Sequence, residues 1–331
     1  MTRARNTADT QTASGGPVSP GIAGKNFVIN GGMDIWQRGT SFTPSGVGYT
    51  ADRWYVTAVS GMVVSQETST VPTGQVYAMK IAANNTSSYC NMAYTLESAE
   101  VARLAGKTVT FSALIQANAN FNGLINAVIS TNTVANTQSG GTWTAIASTS
   151  YTPAVGSWTT VSVTVAVPTS IAGLRVALPY NSLQSSASSV LWISQVQLEV
   201  GSTATPFSRA GGTIQGKLAA CQRYYYRNTG GGAFSGFTWG YATSTTNGFF
   251  VVPLPVAMRV NPTSLDFANL QANNSAGTSY ACSSGSLNAA YQSTTTGNVE
   301  FTLASSPTAG TMIRLMSANN VNAYIGFSAE L

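Results

Sequence analysis

The chain has 331 residues, which is enough for two domains of ordinary size. Hydrophobic residues make up 44% of it and charged residues only 8%, against about a quarter in typical proteins, so a packed core is expected and neutral polar side chains must keep the surface in water. The net charge of +5 comes from no cluster of Lys or Arg, and histidine is absent. Nucleic-acid binding is therefore not expected, and the commonest general base and zinc ligand are missing.

The cysteines and the lack of long apolar runs limit further which classes of protein this chain can belong to. Cys90, Cys221 and Cys282 are odd in number and lack metal-ligand spacing, so we expect three free thiols, mostly buried. The chain has no run of about 18 apolar residues and no apolar stretch at its start, so neither membrane insertion nor a secretion signal is expected. A chain made in a cytosol with the hydroxyl-rich surface of an exterior protein fits a virus particle, whose parts assemble inside a cell and work outside it.

Residues 1–25 are polar and rich in Gly, Ser, Thr and Pro. This composition predicts an extended N-terminal arm. Such an arm is either a disordered tail or a peptide that docks onto a larger assembly, and the residues alone leave both interpretations open.

Residues 26–210 read as one domain. Two segments, 26–42 and 192–209, enclose short alternating runs rich in Ser and Thr, which are typical of half-solvated β-strands. The one convincing helix lies within residues 96–106, where Leu96, Val101 and Leu104 share a face and a glycine can end the helix. We predict a β-sandwich whose first and last strands meet.

Residues 211–331 read as a second, smaller β-sandwich. Gly211 and Gly212 predict a hinge, and residues 214–227 predict a short helix that runs into an aromatic strand. Further strands follow, the clearest at residues 249–258, 312–316 and 324–331. The whole protein is thus predicted to be all-β, with an arm and two domains.

Several of these segments resemble known families. Residues 26–42, followed by Tyr-Thr-Ala-Asp-Arg-Trp at 49–54, resemble the opening of many bacteriophage tail-fibre and virion structural proteins. Leu-Glu-Val-Gly-Ser-Thr-Ala-Thr-Pro-Phe at 198–207, followed by residues 218–227, resembles their junction. The first domain is also similar to the jelly-roll carbohydrate-binding modules of glycoside hydrolases, through Leu-Ala-Gly-Lys-Thr-Val-Thr-Phe-Ser-Ala at 104–113. The phage resemblance covers most of residues 26–227; it implies a homotrimer whose arm attaches to other virion proteins.

The resemblance also implies a candidate metal site. Family members often hold a structural calcium between an acidic residue in the first strand and another near the last. Asp34 is at the position of the acid in the first strand, but Gln195 is at the position where the second acid is expected. Calcium prefers several oxygen ligands that include carboxylates, so an amide there weakens the site. Asp34 is the candidate calcium ligand, and no other cofactor is expected.

Exposed aromatic rings are the best candidates for ligand contact, because sugars present apolar C–H faces on which rings stack. Trp143, Trp158, Trp239 and Tyr241 lie near turns rich in Gly or Ser. These four are the candidate glycan-binding residues. For each of them, packing in a core or an interface is the alternative.

Other aromatic residues have different expected roles. Trp36, Trp54 and Trp192 lie in regular alternating runs and are expected in the core. Tyr224, Tyr225 and Tyr226 would point alternately to the two faces of one strand. One face should pack inward, and the other is expected to form a subunit interface, where Tyr is enriched.

Catalysis is not expected from this chain. Glycoside hydrolysis needs two carboxylates that face each other across the sugar, and the acids of the first domain form no close pair on a strand end: Asp34, Asp52, Glu67, Glu97, Glu100 and Glu199. The resulting hypothesis is a phage fibre-type virion protein, exposed on the particle, that adheres to a host-surface glycan. A head fibre or capsid decoration protein without a receptor, and a polysaccharide depolymerase, are the alternatives.

Overall fold

The computed structural model describes residues 25–44, 46–58, 61–83, 89–181, 188–304 and 306–331. The predicted arm, residues 1–25, lies outside the described residues except for Lys25. The chain divides into two compact units, the first ending at Lys217 and the second running from Leu218 to Glu330.

The described part of the first unit contains twelve strands and a helix that lies wholly within it. The helix α1 spans Ser98–Leu104. The strands are β1 (Ser41–Phe42), β2 (Gly46–Tyr49), β3 (Tyr55–Ala58), β4 (Met62–Glu67), β5 (Ala78–Ala83), β6 (Tyr89–Thr95), β7 (Thr108–Ala117), β8 (Leu124–Asn132), β9 (Thr144–Tyr151), β10 (Thr159–Ala166), β11 (Gly173–Asn181) and β12 (Val190–Val200).

These strands form two six-stranded sheets, ordered β1-β4-β5-β12-β7-β10 and β2-β3-β6-β11-β8-β9. One hydrophobic core takes side chains from both sheets, for example Phe111 and Ile193 from the first and Met92 and Val176 from the second. Strand β10 shows the alternation that the sequence predicted, with Val161 and Val163 buried and Ser162 and Thr164 more exposed. The predicted β-sandwich of the first domain is confirmed.

Helix α1 also follows the prediction. Val101 and Leu104 are its buried residues and belong to the core of the first unit. The backbone reverses at Gly106, whose φ of +74° lies in the left-handed region that glycine tolerates best. The chain then enters β7 two residues later.

The two ends of the first unit pair with each other. The backbone N–H of Phe27 donates to the carbonyl of Leu198 (2.9 Å), and that of Val196 donates to Gly31 (2.8 Å). The side chain of Asn26, which is buried, adds four more hydrogen bonds. Its Oδ1 accepts from Val28 and Leu198, and its Nδ2 donates to Val196 and Ser208. The predicted meeting of the first and last segments is confirmed.

The second unit begins inside a helix, α2 (Ile214–Gln222). The helix and the aromatic strand that follows it confirm the sequence prediction. Among the described residues, neither helix has the length and apolar character needed to cross a membrane. The strands are β13 (Tyr225–Thr229), β14 (Gly236–Ala242), β15 (Asn247–Pro253), β16 (Ser264–Ala268), β17 (Leu270–Asn274), β18 (Ser279–Leu287), β19 (Thr296–Leu303), β20 (Met312–Ser317) and β21 (Tyr324–Ser328).

The second unit is all-β, as predicted, but its main sheet closes on itself. Strands β14-β15-β19-β18-β17-β20 form a closed barrel, and β13-β21-β16 form a three-stranded sheet. The sequence predicted a second, smaller β-sandwich here. The barrel closes because β20 pairs with both β14 and β17, and closure leaves no unpaired edge. Glycine at position 297 leaves room for an aromatic ring of the core, because a Cβ there would lie 2.1 Å from the ring of Phe327.

Removal of the Asn26 side chain tests the closure of the first unit. We expect Asn26→Ala to lower the free energy of unfolding of this unit by about 2–4 kcal/mol, because buried backbone groups lose hydrogen-bond partners. The measurement is urea denaturation followed by tryptophan fluorescence. The matched control is Asn120→Ala, which removes an exposed amide. Equal stability of the two variants would contradict the role given to Asn26.

Candidate functional site

Asp34, the candidate calcium ligand, faces two cations of the chain itself. The ammonium of Lys217, whose side chain is fully buried, donates to Oδ2 of Asp34, and Nε of Arg209 lies 3.7 Å from the same oxygen. Gly32 leaves room for this cluster, since a Cβ there would lie 2.8 Å from Oδ2. Within the described ranges, no three His, Cys, Asp or Glu side chains group as metal ligands. The calcium hypothesis for Asp34 therefore stays a prediction.

Asp52 and Glu67 are held by hydrogen bonds to neighbouring groups. Asp52 is buried and accepts from the backbone N–H of Gln37 at 3.0 Å. Oε1 of Glu67 accepts from consecutive backbone N–H groups, the shortest at 2.7 Å, and Oε2 accepts from Nε1 of Trp192 at 3.2 Å. Burial raises the pKa of Glu67, but these hydrogen bonds outweigh it, and the pKa lies below its usual value.

Glu199 is buried at the junction of the two ends of the first unit. Its carboxylate accepts from the backbone N–H and the hydroxyl of Thr205, each at 2.8 Å, and from Nε2 of Gln197 at 2.8 Å. The ammonium of Lys25 lies 3.1 Å away. Burial raises the pKa of Glu199, yet the hydrogen bonds from Thr205, Gln197 and Lys25 lower it more, so the folded pKa is below the ordinary value.

The tryptophans expected in the core divide into two groups. Trp36 and Trp54 belong to the core of the first unit, which confirms the prediction for both. Trp192 does not: it is half-buried and points to the sheet face opposite that of the buried Leu191 and Ile193. The prediction for Trp192 was wrong because the run around it is apolar on both faces, and alternation does not tell which face is inside.

Two of the candidate glycan-binding residues, Trp143 and Trp158, lie in the first unit, and both are half-buried. Nε1 of Trp143 donates to the carbonyl of Gln138 at 3.2 Å. The guanidinium of Arg175 lies 4.4 Å from the ring centroid of Trp143, so it covers one face of the ring. Trp158 directly precedes β10. For both residues glycan contact stays a prediction.

The tyrosines assigned to a subunit interface are mostly inside their own unit. Tyr224 and Tyr225 are each only 2% exposed. The hydroxyl of Tyr225 donates to Asp266 at 2.8 Å, and Tyr226 is half-buried and packs against the core of the second unit. Tyr224 and Tyr225 therefore offer no ring surface to a neighbour. The prediction missed this because β13 begins only at Tyr225, so the three rings do not simply alternate on one strand.

The other two candidates, Trp239 and Tyr241, form part of one exposed surface. Both lie on the outer face of β14 and are 57% and 49% exposed. On the two neighbouring strands, Tyr241 is paired with Phe249 of β15 and with Met312 of β20. Met312 is 65% exposed. With Val251 these residues line an open groove of about 400 Å³. We call Trp239, Tyr241, Phe249, Val251 and Met312 the aromatic patch.

The aromatic patch lies on the outside of the barrel because β15 and β20 carry apolar residues on both faces, and only one face of a strand can point into the core. Phe250, Val252 and Ile313, the neighbours of patch residues along the chain, are fully or almost fully buried. The inner face thus supplies the core without the outer rings. Gly240 lets β14 and β15 approach closely, since a Cβ there would lie 2.0 Å from the carbonyl oxygen of Phe249. An apolar outer surface that the fold does not need is typical of a binding site.

Aromatic and charged side chains border the patch. The ring of Tyr291, which is largely exposed, lies 6.0 Å from that of Phe249, which in turn lies 5.8 Å from Tyr241. Glu300 pairs with Phe249 across the strands and accepts from Nδ2 of Asn247 at 3.0 Å. Arg314 lies beside Trp239 at the other side. Phe249 and Met312 were missed as site residues, and their only signal was their place in the largely apolar segments 249–252 and 312–316.

No family model and no curated protein matches the chain. Similar solved structures include the enzymatically active domain of tailspike protein 4 of bacteriophage CBA120, at 13% identity and a TM-score of 0.37, over 54% of this chain and 22% of that one. The C-terminal family 22 carbohydrate-binding module of Clostridium thermocellum Xyn10B matches at 14% identity and a TM-score of 0.35, over 49% of this chain and 98% of the module. TmCBM61 in complex with β-1,4-galactotriose matches at 14% identity and a TM-score of 0.34, over 53% of this chain and 99% of that one. The chain thus spans only about a fifth of the tailspike domain that it matches.

The low pKa of Glu199 predicts acid sensitivity of the first unit. A carboxyl group whose folded pKa lies below its unfolded value stabilises the fold above the unfolded pKa, and this contribution is lost as the pH falls through the folded pKa. We expect the free energy of unfolding to decrease between neutral pH and the acid side of the usual Glu range. Glu199→Gln should be less stable at neutral pH and should show a smaller decrease, as measured by urea denaturation at both pH values. An unchanged pH dependence in the variant would contradict this assignment.

Proposed function

We propose that this protein is a fibre-type structural protein of a bacteriophage particle and that it adheres to a host-surface glycan through the aromatic patch of its second unit. The observation that carries the proposal is the grouping of Trp239, Tyr241, Phe249 and Met312 on one outer face of the barrel. Only 8% of the chain is charged, so adhesion through apolar rings and neutral polar groups suits its surface.

The patch has the chemistry that sugar binding needs. Aromatic rings provide large, rigid apolar surfaces at low cost in conformational entropy, and the C–H faces of a pyranose pack against them. Polar groups at the border then orient the sugar through its hydroxyls. Glu300 and Asn247 supply such groups beside Phe249. The open groove allows an extended chain of sugars to lie across the strands.

We propose binding without cleavage. A glycosidase needs one protonated and one ionised carboxyl group that face each other across the sugar. Asp34 pairs with Lys217 and Arg209, Asp52 accepts from Gln37, and Glu199 is buried. These contacts give the three carboxylates structural roles, which supports a protein that holds its ligand without cutting it.

We also propose that several copies act together. A single patch of this size gives weak contact, whereas several copies on one particle convert later contacts into intramolecular ones and raise the total affinity. A homotrimer, as the resemblance to phage fibres implies, would present three patches. Residues 1–25 would attach the trimer to the particle.

Substitution in the patch tests adhesion. We expect Trp239→Ala combined with Tyr241→Ala to lower binding at least about tenfold, since stacking on each ring is worth about 1 kcal/mol or more. The measurement is the binding of labelled protein to an array of bacterial capsular and lipopolysaccharide glycans. Phe234→Ala, which removes another exposed ring of the same unit, is the matched control and should bind as the wild type does.

The same array separates the alternative functions. Release of sugar fragments from any glycan during the incubation would identify a depolymerase and contradict binding without cleavage. If the double variant and the wild type bind equally, the patch is not the adhesive surface. If neither binds any glycan while the protein is still found on the particle, a decoration role without a receptor replaces the proposal.

Deletion of residues 2–24 tests the arm and leaves Lys25, the partner of Glu199, in place. We expect the shortened protein to fold and to form the same oligomer, because no described contact of the core is removed, but to be absent from particles. The measurements are light scattering of the purified protein and immunoblotting of purified virions. Normal incorporation of the shortened protein would show that the arm is not the attachment segment.

A further inference from the structure

Arg314 stands at one corner of the aromatic patch. It lies on β20 and pairs with Trp239 across the strands, and its guanidinium carbon is 5.9 Å from the Trp239 ring centroid. Met312, two residues earlier on the same strand, belongs to the patch. Because alternate residues of a strand share a face, the guanidinium group shares the outer surface with the rings.

This guanidinium has no carboxylate partner in the described part of the chain. Ion pairs of the described residues within 4.0 Å include those of Lys25 with Glu199, of Lys80 with Glu67, and of Arg209 and Lys217 with Asp34. Arg314 is in none of them. Its closest polar contact is the sulfur of Met316, at 3.6 Å from Nη2, and sulfur is a weak acceptor. Among the described residues, no further hydrogen bond occupies the N–H donors of Arg314, which is half-buried.

The charges at the two sides of the patch differ. Glu300 lies on β19, which is three strands away from β20 in the six-stranded barrel and therefore belongs to the opposite wall from Arg314. Its carboxylate accepts from Asn247. The patch is thus positive at the Trp239 corner and negative beyond Phe249. A ligand with one anionic group would bind with that group at Arg314.

We infer that the glycan bound by the aromatic patch is acidic and that Arg314 binds its anionic group. This inference rests on the proposed function and names the substrate class of that site. Trp239 and Tyr241 stack on sugar rings, and the planar fork of Arg314 takes two oxygens of a carboxylate or a phosphate group in parallel hydrogen bonds. The ring of Trp239 keeps the guanidinium beside the first sugar through a cation–π contact.

The test uses the full-length protein on the same glycan array, with glycans sorted into neutral and acidic classes. We expect the wild type to bind acidic glycans preferentially. Arg314→Gln should lower that binding by about tenfold to a hundredfold, because hydrogen bonds between charged groups contribute about 1.5–3 kcal/mol. Arg314→Lys should retain part of the affinity, since it keeps the charge but loses the fork.

Arg103→Gln is the matched control. Arg103 is exposed in the first unit and also lies over an aromatic ring, that of Phe27 at 5.0 Å. The variant removes the same charge from the protein away from the patch. An equal loss in both variants would show general electrostatic attraction and would contradict the assignment to Arg314.

Chemical treatment of the bound glycan identifies the anionic group. Carbodiimide-mediated reduction converts carboxylates to alcohols, and hydrofluoric acid removes phosphate esters. Loss of binding after the first treatment identifies a carboxylate, and loss after the second identifies a phosphate. Unchanged binding after both treatments overturns the inference.

Failure of the inference and failure of the proposed function give different results. If Trp239→Ala with Tyr241→Ala abolishes binding while Arg314→Gln does not, the patch binds a glycan through its rings alone and only the acidic class is wrong. If the ring variant binds normally, or if no glycan binds at all, the proposed function and the inference fail together.

Discussion

The first unit depends on hydrogen bonding between its two ends. Asn26 alone joins its own segment to Val196, Leu198 and Ser208. Strand β12, which carries the first two of these residues, is not an edge strand: it lies between β5 and β7 in the middle of its sheet. The sheet therefore cannot be completed until the last strand of the unit is in place. Such long-range pairing makes folding slow but leaves few exposed edges in the finished sandwich.

The scarcity of charge shapes the rest of the molecule. Carboxylates of the first unit are used inside it, where Asp34 and Glu199 neutralise buried or half-buried cations and fix loops against strands. Breaking such buried pairs is costly, so these acids have little freedom for other roles. Against this background the aromatic patch and the unpaired position of Arg314 on the second unit stand out as surface that the fold itself does not require.

Local patterns predicted much of the fold. The alternation in β10, the face shared by Val101 and Leu104, and the helix before Tyr225 are properties of neighbouring residues, and each was predicted correctly. The exposure of Trp192 and the closure of the barrel were not predicted. A strand that is apolar on both faces does not reveal which face is inside. Closure of the barrel requires β20 to pair with β14 (Gly236–Ala242) and β17 (Leu270–Asn274), which lie far earlier in the chain. No local pattern reports such pairing.

The same division applies to the candidate site. By itself, the sequence determined an all-β chain with few charges, and it singled out Trp239 and Tyr241 as rings beside flexible turns. Only the tertiary structure decided that these two share a surface with Phe249, Met312 and Arg314, while Tyr224 and Tyr225 are buried. The physical reason is that alternation along a strand is a local property. The register between strands, which brings distant side chains together, depends on the packing of the whole unit.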